Sequence, residues 1–460
     1  MKPILMKCFL FSLFCLGFNP GLFAQNSDAT VIRQIFDEEL GKGICYSRLD
    51  YLCNKIGGRL SGSPQAASAV EWAYQTLKEE HFDSVWLQEV MVPHWVRGKK
   101  EVGYFTIAKT KFPVHICALG NAIATPEKGL EAQVVEVKSF KQLQELGKDK
   151  VAGKIVFYNR PMNQLFIRTF DAYGDAASMR SQGAVEASKL GAVGVIVRSL
   201  STSTDNFPHT GAMHYHDSFP KIPACAISTF DADLLSGALK THPEMLFYFK
   251  QNCDMLPDVL SYNVVAQING YEKPEEIIMV GGHLDAWDNG QGAHDDGAGC
   301  VQSMEVLRLF KTAGIVPKRS IRCVLFMNEE NGLKGGIKYA ELAEKNHEKH
   351  LAAIETDAGG FTPRNFNAST DSLHLAKMRS WLPLLQPYGI QEMSEGGGGA
   401  DISTLKKQGV CLIGFGPDSQ RYFDLHHAEN DTFDKVNKRE LELGAGNIAA
   451  LVWLMTKYGF

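Results

Sequence analysis

The second half of the chain, after Ser261, repeats one rhythm of strand, glycine-rich loop and helix. Apolar runs predict strands at 277–280, 321–327, 351–355 and 410–415, and amphipathic segments predict helices at 299–312, 335–344, 372–386 and 439–458. Continuous apolar strands separated by amphipathic helices are typical of a parallel sheet that is covered on both faces. We therefore predict an α/β fold with a mostly parallel mixed sheet sandwiched by helices. In such sheets ligands bind at the carboxyl ends of the strands.

The residues before Ser261 divide into two predicted segments. Residues 25–112 begin with a mainly helical pattern and continue with strand-like alternation at 84–92 and 102–107. Residues 113–255 instead alternate short strands, at 133–137, 154–158 and 193–197, with a helix at 184–190 that starts after Gly183. We interpret residues 113–255 as a self-contained α/β domain inserted into the main domain, which begins with residues 25–112 and resumes at 256–460.

Composition and charge exclude several classes of protein. With 45% hydrophobic residues the chain has enough apolar surface to bury a core, which excludes a disordered or low-complexity protein. Its 47 Lys+Arg and 52 Asp+Glu residues give a formal net charge of −5, and no extended basic run interrupts this balance. We therefore expect no nucleic-acid partner and no anionic-membrane surface.

Residues 1–24 have the pattern of a secretory signal peptide. Lys2 and Lys7 precede an apolar run at 8–18, and Ala24 supplies the small residue for cleavage. The apolar run is shorter than the ~20 residues that a membrane span needs, and no later run reaches that length. We expect a secreted or periplasmic protein without a membrane span.

The eight cysteines after the predicted cleavage site are too sparse for a disulfide scaffold. None of them forms a Cys-x-x-Cys pair, which argues against a thiolate zinc site. Most lie in apolar stretches and are interpreted as small buried hydrophobic residues. One or two disulfides stay open in an oxidising compartment.

Carboxylate and imidazole groups cluster in the connections that leave the predicted strands. The five motifs are His283-Leu-Asp285, Asp295-Asp296-Gly297, Glu329-Glu330, Glu355-Thr-Asp357 and His426-His427 with Asp431. Each motif alone is a common turn or loop. Three of them directly follow strands, and Asp295 lies in the loop between the first of those strands and its helix. We therefore expect these side chains at one edge of the sheet.

The residue types in these motifs suit zinc held by nitrogen and oxygen. The set taken as ligands is His283, His427, Asp295, Glu330 and Asp357. Two Zn²⁺ ions would be neutralised by these three carboxylates and one hydroxide. Two metal ions that share a carboxylate activate water and stabilise both the attacking and the departing group.

Two further acids have predicted supporting roles. Asp285 lies two residues after His283 on the same strand face, so its carboxylate can accept a hydrogen bond from the far nitrogen of His283. Glu329 and Glu330 are adjacent and point in different directions. One of the two can bind metal while the other faces the attacking water as a general base.

The ordered motifs carry a resemblance to a known family. These motifs are Gly282-His-Leu-Asp285, Gly292-Ala-His-Asp-Asp-Gly297, Asn328-Glu-Glu-Asn-Gly332, Glu355-Thr-Asp-Ala-Gly359 and His426-His427. They resemble the two-zinc aminopeptidase/carboxypeptidase family of metallopeptidase clan MH, over nearly the whole mature chain. The resemblance implies two Zn²⁺ ions, an inserted domain of the protease-associated type and a homodimer.

Residue roles follow from the resemblance. It implies that Asp295 bridges the metals, that His283 and Asp357 hold one zinc, and that His427 and Glu330 hold the other. Glu329 is then the general base, and the peptide bond after Asp295 is cis. We prefer His427 to His426 because the family ligand precedes an acidic residue by four positions, as His427 precedes Asp431.

The chain also departs from the family pattern. Ala286 stands where relatives commonly have Ser, and His294 stands where an apolar or small residue is usual, so His294 is expected to perturb the site or to compete for metal. Glu395 and Asp401 flank the run Gly396 to Gly399, near the place where relatives bind the free end of a substrate. Either acid is a candidate partner for an α-ammonium group. The alternative is a flexible surface loop with incidental charges.

The expected function is that of an exported dizinc exopeptidase that removes the N-terminal residue from dipeptides or short peptides. A metallo-carboxypeptidase, or another zinc amidohydrolase, is a second interpretation of the same ligand set. A catalytically inactive ectodomain that serves as a binding protein is a third.

Overall fold

The structure, a computed structural model, describes residues 20–460, with side chains from residue 27 onward. Residues 1–19, which make up most of the predicted signal peptide, lie outside the described residues. Within the described residues, no helix has both the length and the apolar character needed to cross a membrane.

The chain forms two eight-stranded sheets. The strands are β1 (Ser84–Val96), β2 (Val102–Ile107), β3 (Thr110–Val114), β4 (Ile116–Ala118), β5 (Leu130–Val137), β6 (Ile155–Tyr158), β7 (Gly194–Arg198), β8 (Ala224–Ile227), β9 (Leu246–Lys250), β10 (Asp254–Ile268), β11 (Lys273–His283), β12 (Arg319–Phe326), β13 (Lys349–Glu355), β14 (Pro363–Ser369), β15 (Glu392–Glu395) and β16 (Cys411–Pro417). The helices are α1 (Pro20–Lys42), α2 (Cys45–Tyr51), α3 (Pro64–Glu79), α4 (Phe140–Val151), α5 (Thr169–Ala176), α6 (Ser178–Lys189), α7 (Thr229–Thr241), α8 (Ala298–Thr312), α9 (Lys334–Lys345), α10 (Ser372–Leu385) and α11 (Lys438–Tyr458).

The first sheet has the strand order β1-β10-β12-β11-β13-β16-β14-β15, and its four central strands, β12, β11, β13 and β16, are parallel. Successive side chains of β11 pack into hydrophobic cores on opposite faces of the sheet. Ile278 and Val280 pack with helices α8 and α11, whereas Met279 packs with α9 on the opposite face. Burial on both faces explains why the central strands are continuously apolar. The predicted fold class, a mixed sheet between helical layers, is confirmed.

The second sheet is built entirely from strands between β1 and β10, in the order β3-β2-β9-β5-β6-β7-β8-β4. The chain leaves the first sheet through β1 and returns through β10, and these two strands pair antiparallel from Ser84 opposite Gln267 to Val96 opposite Asp254. The predicted boundary at residue 113 falls inside the β2–β3 hairpin, since β2 pairs with both β3 and β9. We therefore propose that the inserted domain comprises residues 102–250.

Helix α6 begins at Ser178, before the predicted start after Gly183. Gly183 does not mark a helix start, because it is where the helix packs closely on β6. A Cβ at this position would lie 2.7 Å from Cε2 of Tyr158, whose hydroxyl donates to the Gly183 carbonyl at 2.9 Å. Glycine inside a helix weakens the helix. At position 183 the close contact with the Tyr158 ring explains why a glycine is present.

All eight cysteines from Cys45 to Cys411 are buried and free. Burial raises the pKa of Cys411 to about 11, so this thiol is protonated at neutral pH. The interpretation of these residues as small buried hydrophobic side chains is confirmed. The disulfides left open by the sequence are not formed among them.

Candidate metal centre

The predicted ligands follow the four central parallel strands of the first sheet. His283 ends β11, Glu329 and Glu330 follow β12, Asp357 follows β13, and His427 lies in the connection that follows β16. Asp295 lies between β11 and α8. Because these strands are parallel neighbours, their carboxyl ends bring the side chains to one edge of the sheet.

Asp295 lies at the centre of the cluster. Its Oδ1 is 3.3 Å from Nε2 of His283, and its Oδ2 is 3.3 Å from Nε2 of His427. A second carboxylate accompanies each imidazole: Asp357 Oδ1 is 3.6 Å from His283 Nε2, and Glu330 Oε2 is 3.1 Å from His427 Nε2. The five side chains therefore converge as two halves that share Asp295.

The donor atoms fit metal ions. Three sets of side chains have ligand atoms within 4.8 Å of one another: Asp295, His426 and His427; His283, Asp296 and Asp357; and His283, Asp295 and Glu330. Nε2 of His283, Oδ2 of Asp295 and Oδ1 of Asp357 are buried without a hydrogen-bond partner. Buried polar atoms without partners are costly, and cations held in the two halves of the cluster would satisfy these three.

The electrostatics of the two imidazoles agree with this arrangement. Burial lowers the pKa of His427 well below its ordinary value, so the ring is neutral, the form that binds metal. Burial opposes the charge on His283 as well, yet contacts with Asp295 and Asp357 raise its pKa well above the ordinary value. The carboxylates thus attract a proton to His283 at a place where a cation would be held.

Asp296 and His426 also come near the cluster. The carboxylate of Asp296 accepts hydrogen bonds from the backbone N–H of His283 at 3.1 Å and of Gly299 at 2.9 Å, so both of its oxygens are engaged by the chain. Nε2 of His426 is 3.7 Å from Oδ2 of Asp295, whereas His427 contacts Glu330 as well. These contacts support the preference for His427. The peptide bond between Asp295 and Asp296 is cis.

Asp285 supports the site in a different way from the one predicted. His283 Nδ1 bonds to the backbone carbonyl of Asp285 at 2.9 Å, and the Asp285 carboxylate lies farther away, at 3.9 Å. The carboxylate instead accepts the backbone N–H groups of Asn328, Glu329 and Glu330 at 2.7, 3.0 and 3.4 Å. It therefore fixes the loop that carries the two glutamates, a role that spacing along one strand does not reveal.

Glu329 and Glu330 diverge from this loop. Glu330 points at His427, and its side chain is 2% exposed. The Glu329 side chain is 20% exposed, lines a cavity and comes within 4.0 Å of His283 Nε2. Burial raises the pKa of Glu329 to about 8, with His283 opposing and Asp357 adding to the rise. A cation between these carboxylates would weaken the repulsion that Asp357 contributes.

The cavity above the ligands has a volume of about 380 Å³. The segment between β1 and β10 contributes Phe170, Tyr173, Arg180, Ser181, Ala212 and His214 to its wall. A second cavity of about 360 Å³ adjoins it and shares Phe170 and Asp357 with it.

The second cavity separates the two predicted substrate-binding acids. Glu395 is exposed and lines it together with Gly397, Gly398 and Gly399. Asp401 has no exposed surface and does not line it, because its side chain packs inward against Gly336 while its backbone N–H donates to Glu355. Of the two acids, the structure leaves Glu395 as the candidate.

His294 lies outside the three sets of ligand atoms. Its Nδ1 accepts the backbone N–H of Gly360 at 3.1 Å, and its ring stacks on Phe361 with centroids 4.1 Å apart. Burial lowers the pKa of His294 to about 4, so the ring is neutral. This departure from the family pattern therefore packs beside the Asp357 loop and does not reach the ligand atoms of the centre.

Two residues support the centre in ways that were not predicted from the sequence. Arg59 has no exposed surface and donates from Nε to Leu284 O at 2.5 Å, from Nη1 to Gln291 O at 2.8 Å and from Nη2 to Gly292 O at 3.1 Å. Asp431 accepts the backbone N–H groups of His294 and Asp295 at 2.9 and 3.1 Å. Both hold the loop that carries Asp295. Only the tertiary fold reveals this role.

Replacing Arg59 by methionine is expected to lower the free energy of unfolding by about 3–5 kcal/mol, because three buried carbonyls lose charged donors. Urea denaturation of the metal-free protein measures the loss. Arg33→Met is the matched control, since Arg33 is 69% exposed and pairs with Asp37 on one helix; we expect less than about 0.5 kcal/mol there. Equal losses in the two variants would show that Arg59 does not hold this loop.

Comparisons with known proteins agree with the geometry. The model of peptidase family M28 matches residues 263–452. Carboxypeptidase Q of Mus musculus is 33% identical over 98% of this chain and 96% of its own length, and carboxypeptidase Q of Homo sapiens is 36% identical over 90% and 84%.

Solved structures give the same result. The crystal structure of a peptidase M28 precursor from Shewanella amazonensis superposes with a TM-score of 0.90 at 34% identity, over 95% of this chain and 98% of that one. A zinc aminopeptidase from Bacillus subtilis superposes with a TM-score of 0.64 at 19% identity, over 89% and 94%, which shows a shared fold. The chain therefore belongs to peptidase family M28 and is a zinc metallopeptidase of the exopeptidase type.

Proposed function

We propose that the protein is an exported dizinc exopeptidase that removes the N-terminal residue from dipeptides or short peptides. The observation that carries the proposal is the sharing of Asp295, whose two oxygens face different imidazoles at 3.3 Å each. His283 and Asp357 would hold one zinc ion, and His427 and Glu330 the other. Such a pair of ions supplies Lewis acids that polarise the scissile carbonyl and make water more acidic.

Glu329 is the general base in this proposal. It lines the cavity beside the ligands, where it takes a proton from the attacking water and passes it to the leaving amine. Asp285 keeps the base in position by accepting the Glu329 backbone N–H at 3.0 Å. The base and the ligand Glu330 are thus oriented by one buried carboxylate.

Glu395 is our candidate for the substrate's α-ammonium group. It lines the cavity that Asp357 also lines, so a charged amine there would lie next to the metal-binding edge. A dipeptide has one peptide bond, which is both its first and its last. Removal of an N-terminal and of a C-terminal residue is then the same cleavage, so the carboxypeptidase and aminopeptidase names of the relatives do not conflict for this substrate.

The proposal predicts chelator-sensitive hydrolysis that needs a free amine. The zinc-loaded protein should hydrolyse Ala-Ala. Chelation should lower the rate by more than about 10³-fold, and added Zn²⁺ should restore it. N-acetyl-Ala-Ala should be hydrolysed poorly, because acetylation removes the charge that Glu395 would bind. Release of alanine is the measurement.

The alternatives give different results in the same assay. Hydrolysis of N-acetyl-Ala-Ala at an equal rate would favour the metallo-carboxypeptidase or amidohydrolase interpretation. A protein that binds no zinc and hydrolyses neither compound would favour the interpretation as a catalytically inactive binding ectodomain. Activity that is indifferent to chelation would overturn the metal mechanism.

Export, dimerisation and the protease-associated type of the inserted domain stay predictions from the sequence. The inserted domain is proposed to act as a wall of the substrate cavity, since Tyr173 and Arg180 line that cavity together with Glu329.

A further inference from the structure

The inserted domain brings one arginine, Arg180 of helix α6, to the cavity above the ligands. Its Nη2 donates to the hydroxyl of Tyr173 at 2.7 Å, and its buried Nε has no hydrogen-bond partner. Within residues 27–460 the guanidinium forms no ion pair with a carboxylate; its polar contacts are with Tyr173 and with the ring of His427. An arginine presents five donors in a fork that matches a carboxylate, so this one has most of its capacity free.

The contact with His427 does not use that capacity. Nη1 of Arg180 is 3.4 Å from Nδ1 of His427, and the same Nδ1 is 3.3 Å from the carbonyl of Thr210. If His427 binds metal through Nε2, Nδ1 carries the proton and donates it to that carbonyl. Nδ1 then cannot accept from Arg180, and Nη1 of the guanidinium is available to a ligand.

The position of Arg180 sets the length of the ligand. One imidazole ring separates its guanidinium from the His427 Nε2 that faces Glu330 and Asp295. One residue of an extended peptide spans about 3.3–3.6 Å. A carboxylate one residue beyond a scissile carbonyl at the metal ligands therefore lies close enough to contact the Arg180 guanidinium. The carboxylate of a longer peptide lies farther out.

We infer that Arg180 binds the C-terminal carboxylate of the substrate and thereby selects dipeptides. The inference rests on the proposed exopeptidase function and adds a specificity-determining residue to it. A cation from the inserted domain and the acid Glu395 of the main domain then face the two charged ends of a dipeptide. The other role open to Arg180 is to neutralise the acidic cluster without touching substrate.

The test compares Ala-Ala with Ala-Ala-amide, which lacks the carboxylate charge. For the zinc-loaded wild type we expect kcat/KM to favour the acid by about 10- to 100-fold, the size of a charge-assisted interaction. In Arg180→Gln, which keeps a side chain that can bond Tyr173, the acid should lose this advantage while the amide changes less than about threefold. Arg180→Lys should keep part of the preference.

The control is Arg160→Gln, which makes the same change at an inserted-domain arginine that is ion-paired with Asp175; it should keep the wild-type preference. Equal hydrolysis of acid and amide by the wild type would overturn the inference even if the variants fail to fold. An equal loss on both substrates in Arg180→Gln would assign the residue to neutralisation and would also overturn it. Hydrolysis of neither compound by the zinc-loaded wild type would instead overturn the proposed function, and the inference with it.

Discussion

Replacing Glu329 by glutamine is expected to lower kcat by about 10²- to 10⁴-fold, the usual contribution of a general base, while the zinc content stays unchanged. The amide keeps the shape of the side chain but cannot take a proton. Glu329 is 4.0 Å from His283 Nε2 and lines the cavity, whereas Glu330 is the glutamate in contact with His427. Steady-state kinetics on Ala-Ala together with elemental analysis of zinc measure the two effects separately.

The control for this variant is Glu145→Gln, which makes the same change at an exposed glutamate of the inserted domain. It should leave both kcat and zinc content at the wild-type level. Full turnover of Glu329→Gln would show that the residue is not the base. A variant that lost zinc together with turnover would show that Glu329 is a ligand, contrary to the geometry described above.

Much of the main domain is predictable because its central strands are buried on both faces. The apolar run at 277–280 lies inside β11, which extends to Lys273–His283 because its ends continue the backbone pairing with β12 and β13. Parallel strands also place their carboxyl ends together, so the motifs that follow them could be assigned to one edge before any distance was known.

The supporting contacts were not predictable because they depend on tertiary structure. Arg59 bonds to the carbonyl of Leu284, 225 positions away along the chain, and no local pattern marks such a pair. The spacing of His283 and Asp285 predicted a bond between their side chains, but the Asp285 carboxylate turns to the loop after β12. Asp401 looked like a loop residue in sequence and is fully buried.

The start of the second sheet shows the same limit. Strand β2 was predicted at its observed bounds, Val102–Ile107, yet it was assigned to the main domain. Its amphipathic pattern fits either sheet, and only its pairing with β3 and β9 places it in the second. A strand can therefore be predicted correctly while its sheet is not, because the alternation of side chains reports burial and does not identify the partner strand.

Replacing Asp295 by asparagine is expected to lower the zinc content after dialysis from the proposed two ions per chain to below about one, and to lower kcat/KM by more than about 10³-fold. His283 and His427 lie 3.3 Å from different oxygens of the Asp295 carboxylate. Because the amide has one oxygen and no charge, it cannot bind an ion beside each of these imidazoles. Elemental analysis and hydrolysis of Ala-Ala measure the two losses on one preparation.

Two further variants make this result specific to a shared ligand. Asp357→Ala should lose one ion and keep the other, because Asp357 contacts His283 and belongs to that half of the cluster. His426→Ala should keep both ions. Asp295, at 3.7 Å, is the one proposed ligand carboxylate near Nε2 of His426, whereas Nε2 of His427 also contacts Glu330. If Asp295→Asn lost no more zinc than Asp357→Ala, Asp295 would serve one ion only, and the centre would consist of two separate sites. If His426→Ala lost zinc and His427→Ala did not, His426 and not His427 would be the ligand that accompanies Glu330 in the second half of the centre.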